Sequence, residues 1–180
     1  MTQHITPSSV VAFWKEAGPD KWYAKDESFD RLFRETLHEA HWAAARREFD
    51  AWMDMAEGAL ALMILLDQYP RNSFRNTGHQ FATDALALAY AKDAIARGYL
   101  EAVEEPMRQF FITPYEHSED LDDQEAGVRL AAGMPEVEKY AIIHRDIIAR
   151  FGRFPHRNPS LGRQITPEEK AFLDGGGFGG

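Results

Sequence analysis

The arginines, histidines and asparagines of this chain gather in three stretches: Asp67–Arg75, Glu116–Asp120 and His144–Arg163. Guanidinium groups match the geometry of carboxylates and phosphates, so arginines beside an asparagine can hold an anion. In Leu65-Leu66-Asp67-Gln68-Tyr69-Pro70-Arg71-Asn72-Ser73-Phe74-Arg75 the candidate anion ligands are Arg71, Asn72 and Arg75. Their counterparts in the third stretch are Arg153, Arg157 and Asn158. The same residues also read as internal. Asp67 follows the most hydrophobic run of the chain, near the end of a helix whose dipole it opposes. It then needs a partner, and Arg71 and Arg75 are the natural ones, with Asn72 capping the turn.

The second and third stretches hold the groups for acid–base chemistry. Glu116 and His117 stand side by side, as a general base and its orienter or as two metal ligands would. Ser118 reads as an N-cap with Glu119 and Asp120 in the first helical turn, where negative charge is favoured. His144 falls within an apolar stripe formed by Val137, Tyr140/Ala141, Ile147/Ile148 and Phe151. Burial there lowers its pKa, and the plain reading is a hydrogen-bonded core histidine. Asp146 and Arg150 are spaced to pair along the helix. A hydrolase built here would use His117 or His144 as base, oriented by Asp67, Glu116 or Asp146. No activated nucleophile accompanies them.

Other signatures are absent or partial. His144-Arg145-Asp146 spells the kinase catalytic-loop triplet, but Phe151 stands where an asparagine is required and no phosphate loop is present. Glu35-x-x-His38 is half of a di-iron motif without its second half. His38 and His41 share a helix face without a third ligand in view, so no metal site is assigned. From Arg145 to Arg163 five arginines and one histidine face a single acid, whereas Glu101–Glu125 holds nine acids and one arginine. Much of the basic stretch can therefore answer the acidic one inside the fold.

The elements that must position these groups are helices. The periodicity predicts a first helix over about Pro7–Glu16, closed by Gly18–Pro19, and a long one from Asp26 to Arg47. The long helix carries Phe29, Leu32, Phe33, Leu37 and Ala40 on its apolar side. A short helix holds Phe49 and Trp52. Gly58–Tyr69 is apolar nearly all round, as a central buried helix is. Gly78–Arg97 is alanine-rich, with Gly98 suited to its C′ position. Tyr99–Ile112, a turn at Thr113–Pro114, then Ser118–Gly133, Pro135–Phe151 and Thr166–Leu173 complete the set. No alternating β-branched run predicts a sheet. Short connections imply about eight antiparallel helices, in a bundle or an α-solenoid. Residues 1–174 read as one all-α domain and 175–180 as a flexible glycine-rich tail.

Composition bounds the rest. A chain of 180 residues, 44% hydrophobic and 27% charged, is long enough for a substantial core. Its net charge of −9 argues against nucleic-acid binding. The absence of cysteine removes disulfides and thiolate chemistry and suits a reducing compartment. Met1–Ser9 lacks the features of a secretory signal, and Ala59–Leu66 is too short to span a bilayer. The expectation is a cytoplasmic protein with neither nucleic-acid nor membrane partners.

Several long motifs also resemble a known family. They include Phe13-Trp14, Trp22-Tyr23-x-Lys25-Asp26-x-x-Phe29-Asp30, Leu65–Asn72 and Pro114–Asp120. Others are His144–Asn158 and Thr166-Pro167-Glu168-Glu169. In this order they resemble the uncharacterised family known as domain of unknown function 924. The resemblance implies a tetratricopeptide-like, right-handed α-α superhelix and no established activity or cofactor. One departure is Asn76, where a glycine is expected after Arg75; asparagine tolerates the left-handed turn. Three functions compete. The first is a binding module holding a small anionic ligand or a peptide in a polar groove. The second is a histidine-based hydrolase, and the third a protein–protein scaffold whose polar clusters are structural.

Overall fold

The computed structural model describes residues 5–179, so Met1–His4 of the N-terminal reading and Gly180 of the tail lie outside the described residues. Among the described residues all regular structure is helical and no strand occurs. Among the described residues no helix is long and apolar enough to cross a membrane. The chain forms two compact units. One runs up to Arg75 and resumes over His79–Pro114; the other comprises Asn76–Gly78 and the chain from Tyr115 onward.

In the first unit, α1 (Pro7–Ala17) begins with a capping box, the Thr6 hydroxyl accepting the Ser9 N–H. A single turn, α2 (Pro19–Trp22), follows, which periodicity had not indicated. α3 (Glu27–Ala45) starts at Asp26, whose carboxylate accepts the Ser28 and Phe29 N–H groups. Its buried face is Phe29, Phe33, Leu37, Ala40 and Ala44. Leu32, expected on that face, is 53% exposed, because the stripe is narrower than the apolar residues suggested. Trp14 sits fully buried among Trp22, Phe33 and Phe110, and Trp22 Nε1 donates to Trp14 O at 2.7 Å. Phe49 and Trp52 stack at the 3₁₀ turn Asp50–Asp54 rather than on an α-helix.

The central apolar segment is one helical run with a defect. α4 (Ala56–Met63) passes through a π-turn, Ile64–Gln68, into α5 (Tyr69–Ser73), and every residue from Gly58 to Pro70 is buried. Pro70 explains why the backbone needs help here. Lacking an N–H, it returns no hydrogen bond to Leu66 O in the α register or to Leu65 O in the π register. Both carbonyls are claimed by side chains from elsewhere in the unit. His41 Nδ1 lies 2.9 Å from Leu65 O, and the Thr83 hydroxyl donates to Leu66 O at 2.5 Å. The predicted helix over Gly78–Arg97 is accordingly shorter: α6 spans Asp84–Ala96 and follows a 3₁₀ turn, Gly78–Phe81. Gly98 takes the left-handed C′ conformation as expected, with φ 77°.

Thr113–Pro114 is not a turn. Both residues lie within α7 (Glu105–Glu116). Pro114 leaves the Phe110 carbonyl without its α-helical N–H donor; the Thr113 hydroxyl is 3.5 Å away but gives its proton to Asp67 at 3.1 Å.

In the second unit α8 (Leu121–Ala131) packs on α9 (Pro135–Phe151). The N-cap of α8 is Asp120, not Ser118; its carboxylate accepts the Asp122 and Asp123 N–H groups. On α9, Ala141, His144, Ile147 and Ile148 are buried, while Tyr140 is 46% exposed. α10 (Pro167–Asp174) opens with a Thr166/Glu169 capping box. The glycine-rich segment then makes a Schellman turn: Gly177 N–H donates to Phe172 O at 2.9 Å and Gly176 N–H to Leu173 O at 3.1 Å, with Gly176 at φ 83°. Gly177 lies so close to the Phe172 ring that a Cβ would sit 2.5 Å from it. Phe178 packs on the cluster of Ile147, Ile148 and Phe154.

Candidate functional site

The first polar stretch divides into two networks, both within the first unit. Asp67 is fully buried in the π-turn rather than at a helix end. Arg71 Nη1 lies 3.1 Å from its Oδ1 and also donates to its backbone carbonyl at 2.8 Å. The same guanidinium makes a two-pronged pair with Asp84, at 2.9 and 3.0 Å. Gln68 and Thr113 donate to Asp67 Oδ2 at 2.7 and 3.1 Å. Burial opposes the charge on Arg71, but Asp67 and Asp84 outweigh it and keep the guanidinium protonated. Arg71 is therefore committed to two carboxylates of its own chain.

Arg75 does not join Asp67. Its Nε and Nη2 donate to Asp30 at 2.6 and 3.1 Å, and Asn72 Nδ2 donates to Asp30 Oδ1 at 2.7 Å. Asn72 thus ties α5 to α3 instead of capping a turn. These three residues line an open surface cleft of about 350 Å³ together with Glu27, Arg31, Arg34 and Ser73.

The geometry follows from the helical repeat. Glu27, Asp30, Arg31 and Arg34 lie three and four residues apart on one face of α3, opposite the end of α5. Asp30 is saturated from below by Arg75 and Asn72, which leaves Arg31 and Arg34 as the arginines of the cavity with no carboxylate against them. Arg34 Nη1 donates only to Ser73 O, at 3.3 Å. Among the described residues the Arg31 side chain has no hydrogen-bond or ion-pair partner. Ser73 Oγ is buried, with the Tyr69 hydroxyl beside it. Elsewhere the arginines of this acidic chain are matched: Arg46 with Glu48, Arg47 with Asp50, Arg97 with Asp93, Arg108 with Glu101.

The third stretch is also largely committed. Arg153 forks onto Glu169 at 2.6 and 2.9 Å, and Asn158 Nδ2 donates to the same carboxylate at 3.2 Å. The Arg153 hydrogen bond and the Thr166 N–H pull the Glu169 pKa down to about 2. Arg157 is buried, with its guanidinium 4.4 Å from the centre of the Phe154 ring. Arg163 forks onto Glu119 at 2.6 and 2.9 Å, and Glu119 also accepts the Phe154 N–H. Glu119 therefore joins the acidic and basic stretches instead of stabilising a helix start. The predicted Asp146–Arg150 pair does not form. Asp146 meets Arg145 and Arg150 meets Glu168.

Of the acid–base candidates, Glu116, His117 and His144 come together in the second unit, whereas Asp67 belongs to the first and Asp146 faces solvent. His144 Nδ1 lies 2.8 Å from Tyr140 O, which makes it the protonated nitrogen, and 3.6 Å from Glu116 Oε2. The rings of His117, Phe154 and Phe178 surround it edge-on at 6.2, 5.6 and 4.7 Å. Burial, reinforced by His117, pulls its pKa down to about 3. A neutral imidazole of that basicity is a weak general base near pH 7. In the first unit His41 Nε2 lies 3.0 Å from His79 Nε2, and burial draws the His41 pKa down to about 4. His38 Nε2 accepts from Trp42 Nε1 rather than joining His41. Among the described residues no group of three or more acidic or histidine side chains is arranged around a metal position.

Asp30, Asp84 and Glu169 were missed as partners because their own surroundings in sequence read as ordinary helix-surface positions. Arg31 and Arg34 carried one usable signal: they share a face with Glu27 and Asp30. That signal equally describes a solvated helix surface.

Comparison with known proteins bears on this geometry. The family model described as bacterial protein of unknown function, DUF924, matches residues 10–177. The chain belongs to this family. No curated protein matches it. Among solved structures, a protein of unknown function, ATU0120 from Agrobacterium tumefaciens, is 50% identical, with a TM-score of 0.91 over 94% of this chain and 97% of that one. The DUF924 match takes in the α3–α5 cavity and the second-unit histidines alike, and it attaches no activity to either.

Proposed function

We propose that this DUF924 chain is a binding module that holds an anionic small molecule in the α3–α5 cavity. One observation supports this reading above all. In an acidic chain whose other arginines are largely spoken for, Arg31 and Arg34 line an open cleft with no carboxylate paired to them. Guanidinium groups so placed are suited to a carboxylate or phosphate. Arg75 and Asn72, locked onto Asp30, form a fixed side of the site.

The ligand site thus moves from the six residues picked out by type to Arg31 and Arg34, with Asn72, Ser73 and Arg75 in support. Arg71, Arg153 and Asn158 serve internal carboxylates in this reading, and Arg157 packs on Phe154. The scaffold is taken to be a tetratricopeptide-like superhelix, an arrangement supported by the family resemblance. A cytoplasmic setting is in keeping with the lack of cysteine.

Arg31 and Arg34 are exposed, so their replacement leaves the core intact. The test is calorimetric titration of glutarate and inorganic phosphate at low ionic strength into the parent and into Arg31→Gln/Arg34→Gln. Binding by the parent, reduced at least tenfold in the folded double variant, is the expected result. No binding of either probe by the parent, or equal binding by both proteins, refutes the reading.

A further inference from the structure

Resting on the anion-binding reading, we propose that the α3–α5 cavity takes a ligand bearing two negative charges and one ammonium group. An acidic amino acid or an amine-bearing phosphate monoester has this chemistry. The inference comes from the charges the fold leaves uncommitted. Glu27 lines the same cavity as Arg31 and Arg34. Among the described residues Glu27 has no hydrogen bond or ion pair, although it stands four residues before Arg31 on the same helix. The remaining charged pair, Asp30 with Arg75, is closed on itself at 2.6 Å.

The open charges are therefore two guanidiniums and one carboxylate, and a complementary ligand has two anionic groups and one cationic group. Spacing along the helix sets the order. From Glu27 to Arg34 is seven residues, or about 10 Å of rise, with Arg31 between them. A molecule lying along α3 places its ammonium at the Glu27 end and its anionic groups at Arg31 and Arg34. A simple dianion satisfies the arginines but brings negative charge toward Glu27, which costs it affinity.

The experiment compares paired probes by calorimetry at low ionic strength: L-glutamate against glutarate, and phosphoethanolamine against inorganic phosphate. Parent and Glu27→Gln are titrated side by side; Glu27 is exposed, so the variant retains the fold. A charge-assisted hydrogen bond at such a site is worth about tenfold in affinity. The parent is expected to prefer the amine-bearing member of at least one pair by about that factor, and Glu27→Gln to lose the preference. Which pair responds identifies the anionic group as carboxylate or phosphate. Equal or tighter binding of the amine-free members by the parent overturns this inference while leaving the anion site standing. So does a preference that survives Glu27→Gln. No binding of any probe by the parent overturns both.

Discussion

Replacing Arg71 with alanine distinguishes an internal arginine from a ligand-binding one. In the native protein its guanidinium lies 3.1 Å from Asp67 and 2.9 Å from Asp84, and Asp67 is fully buried. Truncation leaves the Asp67 carboxylate with the Gln68 and Thr113 donors but no compensating charge. Breaking a buried pair by removing one partner costs about 3–5 kcal/mol. For a chain of 180 residues that lowers the melting temperature by roughly 6–20 °C, at about 2–4 °C per kcal/mol. Two companion variants sharpen the reading. Asp67→Asn/Arg71→Met removes both charges and recovers a large part of the loss. Arg31→Gln, at an exposed site, stays within about 0.5 kcal/mol of the parent. Thermal unfolding followed by circular dichroism at pH 7 reads all three, and at pH 5 the Arg71→Ala deficit narrows as the orphaned Asp67 takes up a proton. An Arg71→Ala protein that melts within about 2 °C of the parent refutes the internal role and returns Arg71 to the list of candidate ligand contacts.

Two further outcomes follow from the same structure. His41 and His144 are held neutral, with pKa values drawn down to about 4 and about 3, while in the unfolded chain both protonate near 6.5. Their contribution to stability is therefore full above pH 6.5 and is lost progressively as pH falls toward 3–4, by about 3 kcal/mol for His41 alone at 1.4 kcal/mol per pKa unit. Urea titrations between pH 7.5 and 4 should show this fall, and His41→Asn should flatten it; an unchanged slope removes His41 as its cause. Thr83→Val leaves the Leu66 carbonyl without its hydroxyl donor beside Pro70 and should destabilise by about 1–3 kcal/mol, with Thr83→Ser close to the parent. Equal stability of the valine and serine variants would mean that the π-turn needs no such support.

The sequence by itself determined the helical class and most helix starts, because those are local properties. Asp26, Thr6 and Thr166 cap the helices they precede through hydrogen bonds to residues two or three positions on. Gly98 and Asn76 take positive φ where a left-handed turn was read. The burial of Gly58–Tyr69 was legible for a similar reason, since a segment apolar on every side has nowhere to go but the interior. Tertiary structure alone decided which arginines are spent. Arg71 lies on α5 and Arg75 just beyond its end, four residues apart, yet one is answered by Asp84 and the other by Asp30, 13 and 45 residues away. Coulomb energy between side chains depends on distance and burial in space, which spacing along the chain does not carry across a loop. The π-turn is of the same kind. Pro70 announces a missing donor, but only the packing of α3 and of Thr83 beside it brings His41 and a hydroxyl to the two carbonyls and lets the helix continue.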